Sequence, residues 1–323
     1  MQLNRRHFIA LSLAMAARPA LAADRAQLCC EVLIDWHRLI LELVRHTATY
    51  SPPVASRAFA YLGVTAHEAM VSVNPALVSL AGQLNGLGPL PARGEGVFDA
   101  AVVMQAALAP AVQVLFGNTG PTGQRAMAAM AARQAEKAAA GVAADVAGRS
   151  SALGAALAAH VLAWAATDGG AVVENMGFPM DYTPGTRPED WVPTSLIRQQ
   201  QAPLLPDWGK VRPFAMPAGT ACALPPPPAY SEDPASDFYR AALEVRDTVA
   251  ALTEEQRLIA RFWSDDPMLS PTPPGHWISI VLDIARRDAL PPEALARTLA
   301  LLGVAVADGF IACWQTKYEV NLL

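Results

Sequence analysis

Lys317 has the strongest claim to chemistry in this chain, because of what surrounds it. On a helix its same-face neighbours three, four and seven positions back are Trp314, Cys313 and Phe310, with Val306 one turn earlier. That spacing predicts a lysine projecting from a buried apolar stripe. A buried ammonium without a partner is costly and tends to shed its proton. An anion held at the same spot removes the cost, so the pattern is that of one corner of an oxyanion site. A competing reading has equal physical footing. Positive charge is favoured near a helix C-terminus, and a lysine stem readily covers apolar surface. Periodicity by itself leaves both open.

Other polar residues have structural readings. Asp308 sits mid-helix in an apolar run, nine residues before Lys317 and away from its face. A buried carboxylate needs a donor, and Arg57, Arg212 or a Trp indole could supply one, so a structural bridge is expected. His276 follows Pro274-Gly275 at a helix start and reads as a histidine satisfied locally. His67-Glu68 and Asp265-Asp266 are pairs that more often cap or bridge helices than catalyse. Cys29, Cys30, Cys222 and Cys313 show neither a CxxC pair nor a His-rich metal spacing. Structural or free thiols are expected, and no metal-ligand set is read here.

The elements that position these residues follow from composition and periodicity. Of 323 residues, 53% are hydrophobic and 16% charged, which favours a packed helical protein over a disordered one. The net charge of −5 and the lack of a Lys/Arg stripe argue against nucleic acid as a partner. Leu299 to Trp314 is apolar but interrupted by Asp308 and short of ~20 residues, so it reads as a core helix and no membrane span is expected. Residues 1–22 resemble a twin-arginine export signal, with Arg5-Arg6, an apolar stretch from Phe8 to Ala17, and Ala20-Leu21-Ala22 before the cut. A periplasmic or secreted destination is therefore expected, with residues 23–323 as the mature helical region.

Within that region, Leu33, Trp36, Ile40 and Leu43 mark an amphipathic helix from Cys30 to His46. Ser51-Pro52-Pro53 opens a helix running to about Val73. After a Gly/Pro-rich connection from Gly82 to Gly96, Phe98 to Thr167 reads as three alanine-rich helices. Their breaks are expected around Gly117 to Thr122 and near Gly148 to Leu153. From about 171 to 230 the chain is long, rich in Trp and Pro and poor in helix signals. Trp191, Trp208 and Phe214 call for burial, so an ordered excursion draped over helices is expected. Thr253-Glu254-Glu255-Gln256 is a capping box, and Leu290-Pro291-Pro292 opens the last helix. The fold class is all-α, a large helical bundle with one long loop.

The order of signatures resembles the bacterial vanadium-dependent haloperoxidases, which share a superfamily with the type 2 phosphatidic acid phosphatases. The matching stretches are Thr253-Glu254-Glu255-Gln256 with Ile259 to Asp265, then Pro273-Pro274-Gly275-His276-Trp277, and lastly Ala307 to Tyr318 with Asn321. Trp36, the helix from Pro52 to Ala69 and the Trp208 to Phe214 stretch fit as well. The resemblance implies the N-terminal part of a haloperoxidase-like fold and a cage of fixed donors around an oxyanion, with vanadate as cofactor. It assigns Lys317 both as a catalytic residue and as a ligand to vanadate or phosphate oxygens. The implied reaction is oxidation of halide by hydrogen peroxide, the lysine polarising the oxygen that halide attacks. Phosphoester hydrolysis on the same cage is the alternative, and a non-catalytic helical remnant or interaction protein is another. In the family motif six residues separate this lysine from Arg-Pro, and here six residues lead to Leu323. The resemblance therefore implies a chain that stops before its catalytic half and is inactive by itself, with a homodimer as a compatible assembly.

Overall fold

Prolines and small polar residues start most of the helices. The computed structural model describes residues 5–171, 182–194, 202–266 and 268–321, and the side chains from residue 24 onward. The export signal expected over residues 1–22 thus lies, in its side chains, outside the described residues. Among the described residues there are nine α-helices: α1 (Arg5–Arg45), α2 (Pro52–Val73), α3 (Ala100–Leu115), α4 (Pro121–Ala139), α5 (Ala144–Ala165), α6 (Asp237–Ala250), α7 (Glu254–Trp263), α8 (Thr272–Arg287) and α9 (Pro292–Val320). Pro stands in the first turn of α2, α4, α8 and α9, where a missing N–H removes nothing from the helix ladder. The capping box at α7 is formed on both sides, between Thr253 and Gln256. No strand occurs among the described residues.

α2 is the centre of the bundle, buried from Pro53 to Met70. It packs most extensively on α9, and α3 and α5 cover its other side. The close approach of α2 and α9 depends on two glycines. A Cβ at Gly63 would lie 2.7 Å from the Leu299 carbonyl oxygen, and one at Gly303 would lie 2.8 Å from the Ala60 Cα. α1 lies against α3, α4, α8 and α9 and buries Leu33, Trp36, Ile40 and Leu43 as its periodicity predicts. Both α5 and α9 are long and apolar enough to cross a membrane by length and composition. Half of the apolar window of α9 is buried inside the protein instead.

One expected helix boundary moves. The second break in the alanine-rich block falls at residues 140–143, where Gly141 turns the chain with φ +73°. Gly148 to Leu153 lies inside α5. Gly154 follows it because α5 presses on α3 there, a Cβ being only 2.4 Å from the Val103 carbonyl oxygen.

Buried charges tie the loops to this core. Asp308 is buried, and it accepts the backbone N–H groups of Phe214 (2.6 Å), Ala215 (2.8 Å) and Met216 (3.0 Å). The expected structural bridge is therefore present, but its donors are loop amides rather than Arg57, Arg212 or an indole. Arg57 instead donates to Asp168 at 2.6 Å, and the Tyr61 hydroxyl donates to the same oxygen at 2.8 Å. Glu68 is fully buried and holds the 79–80 turn, accepting from Leu80 N–H (2.7 Å) and the Ser79 hydroxyl (2.8 Å). Burial pushes its carboxyl up in spite of both donors. The long excursion carries two short 3₁₀ turns, Trp208–Lys210 and Gly219–Cys222, and buries Trp208 and Phe214, while Trp191 stays half-buried. All four cysteines are free thiols.

Candidate functional site

The end of α9 is where the excursion, the helix and Lys317 meet. The helix closes on Asn321, whose φ of 50° and ψ of 38° are left-handed and whose N–H returns to the Lys317 carbonyl at 3.0 Å. Asparagine tolerates that conformation better than most residues, so the sequence stops the helix one turn past the lysine. The Asn321 side chain then ties down the excursion. Its Oδ1 accepts from the Tyr182 hydroxyl at 2.8 Å, and its Nδ2 donates to Asp190 Oδ1 at 3.3 Å. Asp190 is itself gripped by Arg187, whose Nη2 lies 2.8 Å from Oδ1. The Arg187 guanidinium holds that carboxyl below its ordinary range.

A second set of bonds joins the helix to the Leu204 carbonyl. Trp314 Nε1 donates to it at 2.9 Å and the Tyr318 hydroxyl at 2.7 Å. Burial, with the neighbouring Tyr182, pushes the Tyr318 phenol up to about 12, so it remains a donor throughout the neutral range. The rings of Tyr182 and Tyr318 meet edge to face at 5.2 Å. Between these anchors is a cavity of about 270 Å3 that Trp191, Leu204, Trp314, Lys317, Tyr318 and Asn321 help to line.

Lys317 is placed in that concavity, but not as its periodicity predicts. The residue is exposed, and its stripe is only partly covered: Val306, Phe310 and Trp314 are half-buried and Cys313 is exposed. The buried face of α9 is a different one, carrying Val304, Ala307, Asp308 and Ile311. The expected buried ammonium is therefore corrected to an exposed one resting near the Trp314 ring, with Nζ 5.6 Å from the centroid. Such a contact is a weak attraction between the cation and the ring face. No ion pair involves Lys317 among the described residues.

His276 behaves as a structural residue, its Nδ1 3.2 Å from Asp265 Oδ2 and its ring among Phe262 and Trp263. It lies on α8 and does not join Lys317 in the cavity. Tyr182, Asp190, Trp191 and Leu204 carry no sequence signal tying them to α9. They reach it through the fold of the long excursion.

What this cavity can do is limited by its donors. Lys317 offers one cationic group to an anion, whereas the indole of Trp314 and the phenol of Tyr318 are already engaged by Leu204. A vanadate-sized oxyanion needs several fixed donors in a dry pocket. No group of three or more His, Cys, Asp and Glu side chains converges among the described residues. The described residues therefore do not by themselves fit vanadate.

No family model and no curated protein sequence matches the chain. Among solved structures, it is similar to the crystal structure of the first bacterial vanadium-dependent iodoperoxidase. Sequence identity is 31%, over 90% of this chain and 69% of that one, with a TM-score of 0.78.

Proposed function

The chain belongs to the vanadium-dependent haloperoxidase family, and from that we propose that it serves the peroxide-driven oxidation of halide, with Lys317 as one corner of the anion site. The observation that carries the reading is the 31% identity to a vanadium iodoperoxidase across 90% of the chain. The position of Lys317 in a concavity at the end of α9 supports the assignment of that corner. Vanadate would supply the peroxide chemistry. What the chain itself contributes is a positive charge on a rigid helix end, held in place by Asn321, Tyr318 and Trp314. Export to the periplasm or beyond is part of the same reading, supported by Arg5-Arg6 and Ala20-Leu21-Ala22.

Vanadium NMR of orthovanadate, titrated with the purified chain, tests the lysine. One charge-assisted contact supports weak binding, of roughly millimolar Kd. Saturable broadening of that order is expected, weakened about tenfold or more in Lys317→Met and retained in Lys317→Arg. Equal broadening by wild type and Lys317→Met would remove Lys317 from the site. In the same samples, little iodide oxidation is expected on adding peroxide, since a single ammonium does not form a cage. Hydrolysis of a phosphoester that orthovanadate inhibits and Lys317→Met abolishes would move the assignment to phosphatase chemistry on the same site.

A further inference from the structure

Four prolines in a row, Pro225, Pro226, Pro227 and Pro228, follow Leu224 in the stretch that leads from the excursion to α6. Each proline fixes its own φ near −65° and pushes the residue before it out of the helical region. Leu224 and the first three prolines are therefore held extended, and the run is a polyproline II rod about 12 Å long, at ~3.1 Å per residue. It belongs to no helix or strand and nothing lies over it: residues 223–229 are all exposed, Leu224 by 74%. A rod of this kind loses little conformational freedom on docking, and aromatic surfaces are what it docks on.

Such a surface stands elsewhere on the same chain. On α7 and α8, Phe262, Trp263 and Trp277 are 59%, 48% and 45% exposed. Phe262 meets Trp263 at 5.0 Å and Trp263 meets Trp277 at 5.5 Å, so three rings are fixed side by side over a length that the proline run matches. Neither indole N–H has a hydrogen-bond partner among the described residues. That leaves two donors for the carbonyls of a segment whose prolines have no N–H of their own. Charge agrees with this pairing. Arg257 and Arg261 border the Leu258 and Phe262 edge of α7, and neither pairs with a carboxylate among the described residues. Glu232 and Asp233, just beyond the prolines, pair with no cation among them either. Their carboxylates accept from the Tyr230 hydroxyl (2.7 Å) and the Ala235 N–H (2.9 Å).

We infer that the proline run of one copy docks on the Phe262, Trp263 and Trp277 surface of a second copy of this chain. Within one copy both the run and the rings stay uncovered, so the pair is completed between copies. Proline rings lie on the aromatic faces, the Trp263 and Trp277 indoles donate to carbonyls of the run, and Glu232 and Asp233 face Arg257 and Arg261. Two copies that exchange their segments around a two-fold axis close a dimer with two such contacts.

A fluorescein-labelled peptide of residues 223–233, titrated with the whole chain and read by anisotropy, tests the recognition. Sedimentation of the chain itself tests the occupant. The peptide is expected to bind saturably. Pro226→Ala with Pro227→Ala in the peptide leaves the protein untouched and should weaken binding about tenfold or more. Phe262→Ala in the protein should do the same at an unchanged Tm, because α7 buries no side chain. Arg261→Glu should weaken the wild-type peptide about tenfold, and Glu232→Lys with Asp233→Lys in the peptide should restore most of that loss. In the whole chain, Pro226→Ala with Pro227→Ala should raise the concentration for half-association about tenfold. Absence of saturable peptide binding would overturn the inference, as would equal binding of the alanine peptide or equal binding by Phe262→Ala. Failure of the charge reversal to restore affinity would overturn the placement of Glu232 and Asp233 against the arginines. Association of the whole chain that ignores the loss of Pro226 and Pro227 would overturn the second copy as occupant. Because Lys317 takes no part, failure here is independent of the vanadate titration.

Discussion

His37, Asp308 and Glu68 are each buried on a helix, and each is held by main-chain groups. His37 Nδ1 lies 2.8 Å from the Leu33 carbonyl one turn back, and burial pushes its pKa down from 6.5 to about 4. Between those values the unfolded chain binds a proton that the native protein refuses, so stability falls as pH falls. The neutral ring's contribution is complete above pH 6.5 and is lost as the pH drops through about 4. A shift of that size corresponds to about 3 kcal/mol. Urea unfolding at pH 7 and at pH 4 should therefore show the wild type losing about that much relative to His37→Gln, which keeps a donor for Leu33 and does not titrate. Parallel losses in the two proteins would show that His37 takes up its proton without opening the core. Asp308 differs in kind, since three loop amides converge on its carboxylate and the apolar run around it gives no hint of them.

At the scale of helices, the crossing of α2 and α9 is set by what is missing from Gly63 and Gly303. Both would place a Cβ under 3.0 Å from backbone of the opposing helix, which cannot move aside like a side chain. Gly303→Ala should therefore push the helices apart and destabilise the fold by about 1–3 kcal/mol, the usual range for overpacking, despite alanine's better helix propensity. Denaturant unfolding reads the sign directly, and a gain in stability would mean that the crossing is loose. The same geometry explains what could be read in advance. Local signals were legible: Ser51-Pro52-Pro53, the Thr253 to Gln256 box and Pro291-Pro292 each begin a helix where they stand. Glycines were ambiguous, because Gly141 breaks a helix while Gly148 and Gly154 lie inside one. The exposure of Lys317 was not legible for a related reason. α9 carries two apolar stripes, and periodicity cannot tell which of them a neighbour covers. Nor does sequence order reveal that the 182–204 stretch returns to meet the end of α9.

On the scale of the whole molecule, the bundle is covered unevenly. α1, α2, α3, α5 and α9 share one core, whereas α6 and α7 contribute no buried residue. α7 nevertheless has a strongly apolar face, on which Leu258, Ile259, Phe262 and Trp263 are about half exposed, and Trp277 of α8 continues it. The Phe262 and Trp263 rings meet each other and His276, and Trp263 also meets Trp277 at 5.5 Å, so the patch is preformed. A contiguous apolar surface of this kind drives association in water, and a second copy can supply an identical surface across a two-fold axis. The purified chain should accordingly sediment as a reversible dimer or larger species in a concentration-dependent manner. Ile259→Glu, which places a charge in the middle of the patch on a helix with no buried side chain, should raise the concentration for half-association by roughly tenfold or more. Its Tm at high dilution should stay within a degree or two of wild type, because surface substitutions away from packed features cost about 0.5 kcal/mol or less. A wild-type chain that remains monomeric at every concentration, or an Ile259→Glu variant that associates as strongly, would show that this face does not drive self-association.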